Sequence, residues 1–86
     1  MIDNQALNRF EREEQGALVF ALYRREPGRL IIRHVEAAPL LRGTGAADRL
    51  MREIVEWAQQ EGDTIIPLCG YAARWLRLYA PSLLAD

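Results

Sequence analysis

Two glycines one residue apart, in Arg42-Gly43-Thr44-Gly45-Ala46-Ala47, divide this chain into a β-rich first half and a long helical pattern at residues 44–61. That division leaves few folds open, because strands read with a period of two and helices with a period of about 3.6. The first turn of any helix carries unpaired N–H groups and the positive end of the helix dipole. With no side chains at Gly43 and Gly45, a phosphate can come close to those N–H groups. The same glycines also suit a plain strand-to-helix turn, and Gly-X-Gly alone does not separate the two readings.

Beyond the turn, Ala47, Leu50, Met51, Ile54, Val55 and Ala58 form one apolar stripe, with Arg49, Arg52, Glu53 and Glu56 opposite it. Leu50, Ile54 and Ala58 are expected to face a sheet, and Gly62 suits the position after the last turn. Before the turn, strands are expected over residues 7–13, 17–25 and 29–36, with Leu18, Phe20 and Leu22 sharing a face of the second. Gln15-Gly16 and Glu26-Pro27-Gly28 supply the turns between them, and Pro39 ends the third. Thr64-Ile65-Ile66-Pro67-Leu68 reads as a fourth strand, parallel to the third because a helix makes the crossover. A second helix is expected over residues 72–79, packing through Trp75, Leu76 and Tyr79 and stopped by Pro81. The expected class is α+β: three antiparallel strands, a helix, a parallel fourth strand and a short C-terminal helix. With no repeat or linker, residues 1–86 read as a single domain.

Composition excludes several functions. The net charge of −1 gives no chain-wide attraction to nucleic acid or to an anionic membrane. One cysteine, Cys69, allows no internal disulfide and no cysteine cluster, and a single histidine argues against a protein-built zinc site, so no metal is expected. The first residues have neither the basic nor the apolar part of a signal peptide, and no apolar run nears the ~20 residues of a membrane span. A cytoplasmic setting is the expectation.

Three motifs stand in order along the chain: His34-Val35-Glu36, Pro39-Leu40-Leu41-Arg42-Gly43-Thr44-Gly45 and Pro67-Leu68-Cys69-Gly70-Tyr71. In these, and in the order of its strands and helices, the chain resembles the GCN5-related N-acetyltransferases, and more narrowly their very small YjdJ-type members. The likeness runs over roughly residues 7–84. It departs at Leu40, where larger members often carry glutamine or arginine, and at Ala37-Ala38, where small ones often have Val-Pro.

The resemblance implies a GNAT-like core with a pyrophosphate-binding helix, acetyl-CoA as cofactor and an unidentified amine as acceptor. By it, Arg42, Gly43, Thr44, Gly45, Ala46 and Ala47 would hold the CoA pyrophosphate, with N–H groups from Gly43 to Ala46 aimed at it. If the third and fourth strands splay beyond Glu36, the third strand's end, at Val35 and Ala37, would bond the pantetheine arm. Cys69, just after a strand and before a helix N-terminus, is a candidate nucleophile or a contact for the thioester; a small buried hydrophobe fits it equally. Tyr71 would protonate the leaving thiolate, His34 would act as base, and Glu36 would bind or relay the amine proton. Each also has a plain structural reading, as packed aromatic, hydrogen-bonded strand histidine and solvated carboxylate. The alternatives to a transferase are a non-catalytic CoA-binding or protein-interaction module and, on Cys69 alone, a redox or acyl-carrier role. The oligomeric state stays open.

Overall fold

The computed structural model describes residues 1–85. Strands Ile2–Asn4 (β1), Arg9–Glu14 (β2), Ala17–Glu26 (β3), Arg29–Ala37 (β4) and Thr64–Pro67 (β5) form one sheet in that order. β1 to β4 are antiparallel neighbours, and β5 lies parallel to β4. Helices Ala46–Glu61 (α1) and Gly70–Tyr79 (α2) complete the α+β architecture, with the expected crossover between β4 and β5.

The core lies between α1 and one face of the sheet. Leu50, Met51, Ile54 and Ala58 of α1 are buried against Phe10, Val19, Ala21, Tyr23, Leu30, Ile32 and Ile65, and α2 adds Ala72, Trp75 and Leu76. The 3.6-residue stripe thus finds the sheet as expected. On β3 the buried face is the one carrying Val19, Ala21 and Tyr23. Leu18, Phe20 and Leu22 do share a face, but it is the other one, which α1 does not cover and where they are half-buried.

Other boundaries differ from expectation for local reasons. The first expected strand starts at Arg9 rather than residue 7, because Asn4 caps a short 3-10 turn at Gln5–Leu7 and Asn8 takes a left-handed φ of 51°. β1 precedes it as a strand too short to show a period. α1 starts at Ala46, since Gly45 is its left-handed N-cap, and α2 starts at Gly70. Gly62 caps α1 with a φ of 74°, a conformation glycine takes without strain. Tyr79 packs as expected on the Trp75 ring, 5.1 Å between centroids, but remains 57% exposed.

Candidate functional site

The chain leaves β4 through a 3-10 turn at Pro39–Leu41, pinned by the buried Leu41, while Leu40 points to solvent. Gly43 and Gly45 follow with φ of +77° and +87°, so the glycines are required by backbone conformation at both places. The Thr44 N–H and hydroxyl both donate to the Leu41 carbonyl, at 3.2 and 2.6 Å. Thr44 therefore tightens the turn, and the expectation that it offers its N–H outward is not met. Among the described residues, the N–H groups of Gly43, Gly45, Ala46 and Ala47 have no acceptor. With Arg42 and Tyr71, these residues line a cleft of about 320 Å³. Arg42 stands at its edge, where Nε donates to the Ala37 carbonyl at 3.2 Å.

A residue pair that sequence reasoning missed braces this turn. Arg49, read as part of the solvent side of α1, donates through Nε and Nη2 to both carboxylate oxygens of Glu14, at 2.8 and 2.7 Å. The same Nη2 also reaches the Thr44 carbonyl at 3.1 Å. The hydrogen bonds from Arg49, and then from Arg12, hold the Glu14 carboxyl down to about 2. Arg12 also donates to Glu53, so α1 is tied to β2 along this edge by arginines. Arg52 and Glu56 are exposed, as expected. No periodic signal marks Glu14 and Arg49, which are 35 positions apart.

The gap between strands opens earlier than expected. β4 and β5 pair only as far as Ile32 and Pro67, with one further bond from the Leu68 N–H to the Ile32 carbonyl, so they part before His34 rather than beyond Glu36. The backbone of β4 past that point can be assigned. Ala38 donates to Leu18 on β3, and inward and outward residues alternate along an antiparallel pair. His34 and Glu36 therefore turn their backbone groups to β3, and Val35 and Ala37 turn theirs into the gap. The Arg42 bond to the Ala37 carbonyl agrees with that direction.

Cys69 follows the last rung on the β5 side. It is half-buried against the core and is the N-cap of α2, where its carbonyl accepts the Ala73 N–H at 3.0 Å. Tyr71, in the first turn of α2, is 43% exposed; burial, then the nearby Asp48 carboxylate, pushes its phenol above the usual range, so it is a neutral donor. Asp48 accepts the indole N–H of Trp75 at 2.8 Å and Arg52 Nε at 3.1 Å, joining α1 to α2. Those bonds, Trp75's first, hold Asp48 below the ordinary carboxylate range. A second cleft of about 520 Å³ runs on from the first through Gly45, Asp48 and Tyr71, walled by Arg52, Arg74, Trp75 and Tyr79. The sequence carried one sign of this groove, the Asp48–Arg52 spacing of four along a helix.

His34 and Glu36 stand elsewhere. Their side chains, half exposed, meet at 3.1 Å between Nε2 and Oε1. They leave β4 on the sheet face that α1 does not cover, opposite Leu22 and Phe20. The four candidate chemical residues are thus divided, with Cys69 and Tyr71 on the helix side of the gap and His34 and Glu36 on the other. Among the described residues there is no group of three metal-ligating side chains, and no helix is long and apolar enough to cross a membrane.

A comparison with curated proteins finds no match. A comparison with family models matches residues 9–82 to one described as GCN5-related N-acetyl-transferase. That span starts with β2 and takes in the turn, the gap and α2. The chain, with its glycine turn opening α1 and its parted strands, belongs to the GCN5-related N-acetyl-transferase family and is an acetyltransferase-type domain.

Proposed function

We propose that the chain is a single-domain N-acetyltransferase that moves an acetyl group from acetyl-CoA to an amine, in a reduced cytoplasmic setting. The observation that carries this is the row of unbonded N–H groups at Gly43, Gly45, Ala46 and Ala47, in a cleft continuous with the groove between α1 and α2. Such a row, at the positive end of a 16-residue helix with Arg42 beside it, suits a pyrophosphate. Arg52 and Arg74 in the groove suit a further phosphate, and the backbone of Val35 and Ala37 suits an amide-bearing chain. Bound acetyl-CoA would supply an acetyl thioester, activated toward amines.

The residues divide the proton work across the gap. His34, oriented by Glu36, takes a proton from the ammonium form of the acceptor on the open face. On the acetyl thioester that bound acetyl-CoA would supply, attack by that amine at the carbonyl carbon would give the amide and release CoA as its thiolate. A second nitrogen proton goes to solvent, as does the one His34 took, and Tyr71 would protonate the departing thiolate, regaining its own from solvent. The net change is ammonium plus thioester to amide, thiol and one proton.

The test uses two glycines. Gly43 and Gly28 have nearly equal φ, +77° and +74°, and an added Cβ at either meets nothing. Gly43→Ala and Gly28→Ala should therefore lose similar stability, about 1–2 kcal/mol. Only Gly43→Ala should lose CoA affinity by calorimetry, by about tenfold or more. Equal affinities in the two variants would sink the assignment, and CoA binding without thiol release across a panel of amines would favour the non-catalytic module.

A further inference from the structure

β4 carries a β-bulge. Leu22 pairs with His34 and Tyr23 with Ile32, which leaves Arg33 as the extra residue. Counting forward from the buried Ile32, alternation turns Arg33 away from α1. Counting back from Val35, which packs on the core, alternation turns His34 the same way. Two consecutive side chains therefore leave the strand on one face, beside the mouth of the gap. Arg24 joins them, since it follows the buried Tyr23 and pairs with Ile31, two places before Arg33. Arg24 and Arg33 also border a cleft of about 690 Å³ at the sheet edge, whose other walls include Arg25, Trp57 and the carboxylates of Asp3 and Glu61, and which His34 does not reach.

Charge on this face is sorted by position. Toward the glycine turn, Glu36 lies across from Phe20 and Glu13 across from Leu18, both carboxylates exposed. At the other end stand Arg24 and Arg33, with Glu26 paired to Arg24 and His34 between the two ends. These two guanidinium groups are little used within the protein. The side chain of Arg24 is 67% exposed and meets only Glu26, at 3.3 Å, and Arg33 forms no ion pair among the described residues. Arg25 is a contrast: it is bonded to Asp63, paired with Glu61 and stacked on Trp57.

Guanidinium groups bind oxyanions through paired N–H donors, and a plain amine at His34 would meet the unpaired Arg33 and the exposed Arg24, which has only Glu26 to offset it. We infer that the acceptor is an amine that also carries an oxyanion, with its nitrogen at His34 and Glu36 and its oxyanion on Arg24 and Arg33. This rests on the acetyltransferase reading. It makes Arg24 and Arg33 specificity residues that act on acceptor binding and leave the CoA side of the sheet untouched.

The probes are ethanolamine, phosphoethanolamine and β-alanine, titrated into CoA-saturated protein and followed by NMR. Phosphoethanolamine, β-alanine or both should shift Arg24 and Arg33 at about tenfold lower concentration than ethanolamine does. A response to one of the two assigns phosphate or carboxylate as the preferred oxyanion. Arg33→Gln and Arg24→Gln, both at exposed positions, should each remove that advantage. In the transfer reaction they should raise KM for the anionic acceptor, leaving kcat and the KM for acetyl-CoA unchanged. Equal binding of all three probes, or shifts remote from both arginines, would overturn the inference while CoA binding and turnover kept the acetyltransferase reading standing. Shifts at both arginines in a protein that neither binds CoA nor releases thiol would overturn that reading, and with it the acceptor role, leaving a bare oxyanion site.

Discussion

Glu14 shows how one carboxylate on a distant strand can brace a glycine turn through an arginine. Its folded pKa of about 2 lies below the ordinary 4.5, so as pH falls the unfolded chain takes up the proton first. The stability it lends is present above pH 4.5 and is lost as pH falls toward 2. Arg49→Met should flatten that part of the acid-unfolding curve followed by circular dichroism; an unchanged curve would show the clamp to be idle. Cys69 makes a second test. It is half-buried against the core, and the expectation is that it packs and does not attack, so Cys69→Ala should leave turnover measurable. CoA affinity should fall about fourfold, the worth of one buried methylene. An acetyl adduct by mass spectrometry, with turnover abolished in the variant, would reverse that view. At this scale the sequence exposed the glycines and Cys69, whose types are unusual where they stand. It hid Glu14 and Arg49, whose meaning comes only when β2 and α1 are brought together.

Elements were legible in proportion to their periodicity. α1 shows its apolar stripe over 16 residues and was visible to within two residues of its true start, where Gly45 turns left-handed. Ile54→Ala at the centre of that stripe, where the side chain is fully buried, should cost about 2–5 kcal/mol in urea unfolding. A loss well under 1 kcal/mol would mean the stripe contributes little. β1, with three residues, has no period to read, and β3 alternates between two apolar faces, so its pattern could not say which one a helix covers. The bulge at Arg33 was invisible for a related reason. It is defined by pairing with β3, and nothing in the residues of β4 themselves announces it.

Across the whole molecule, the order of parts carried more information than any single motif. Three antiparallel strands, a glycine turn into a helix and a parallel strand fixed the expected architecture, and the motifs at His34–Glu36, Pro39–Gly45 and Pro67–Tyr71, standing in that order, carried the resemblance to the family. What the order did not disclose was the division of the candidate residues between two sides of one sheet, which depends on where β4 and β5 part. That parting has an effect on proton exchange with solvent. In an ordinary inner strand every amide is bonded and exchanges slowly. Along β4 past Ile32, amides directed to β3 should be slow, and those of Val35 and Ala37 should be fast, giving a comb with a period of two in deuterium uptake. Ligand in the gap would fill in the fast teeth, Val35 first. The sheet thus carries its own occupancy gauge, readable in the free and loaded protein without an attached reporter group; uniform protection of β4 before ligand is added would show that the seam is closed.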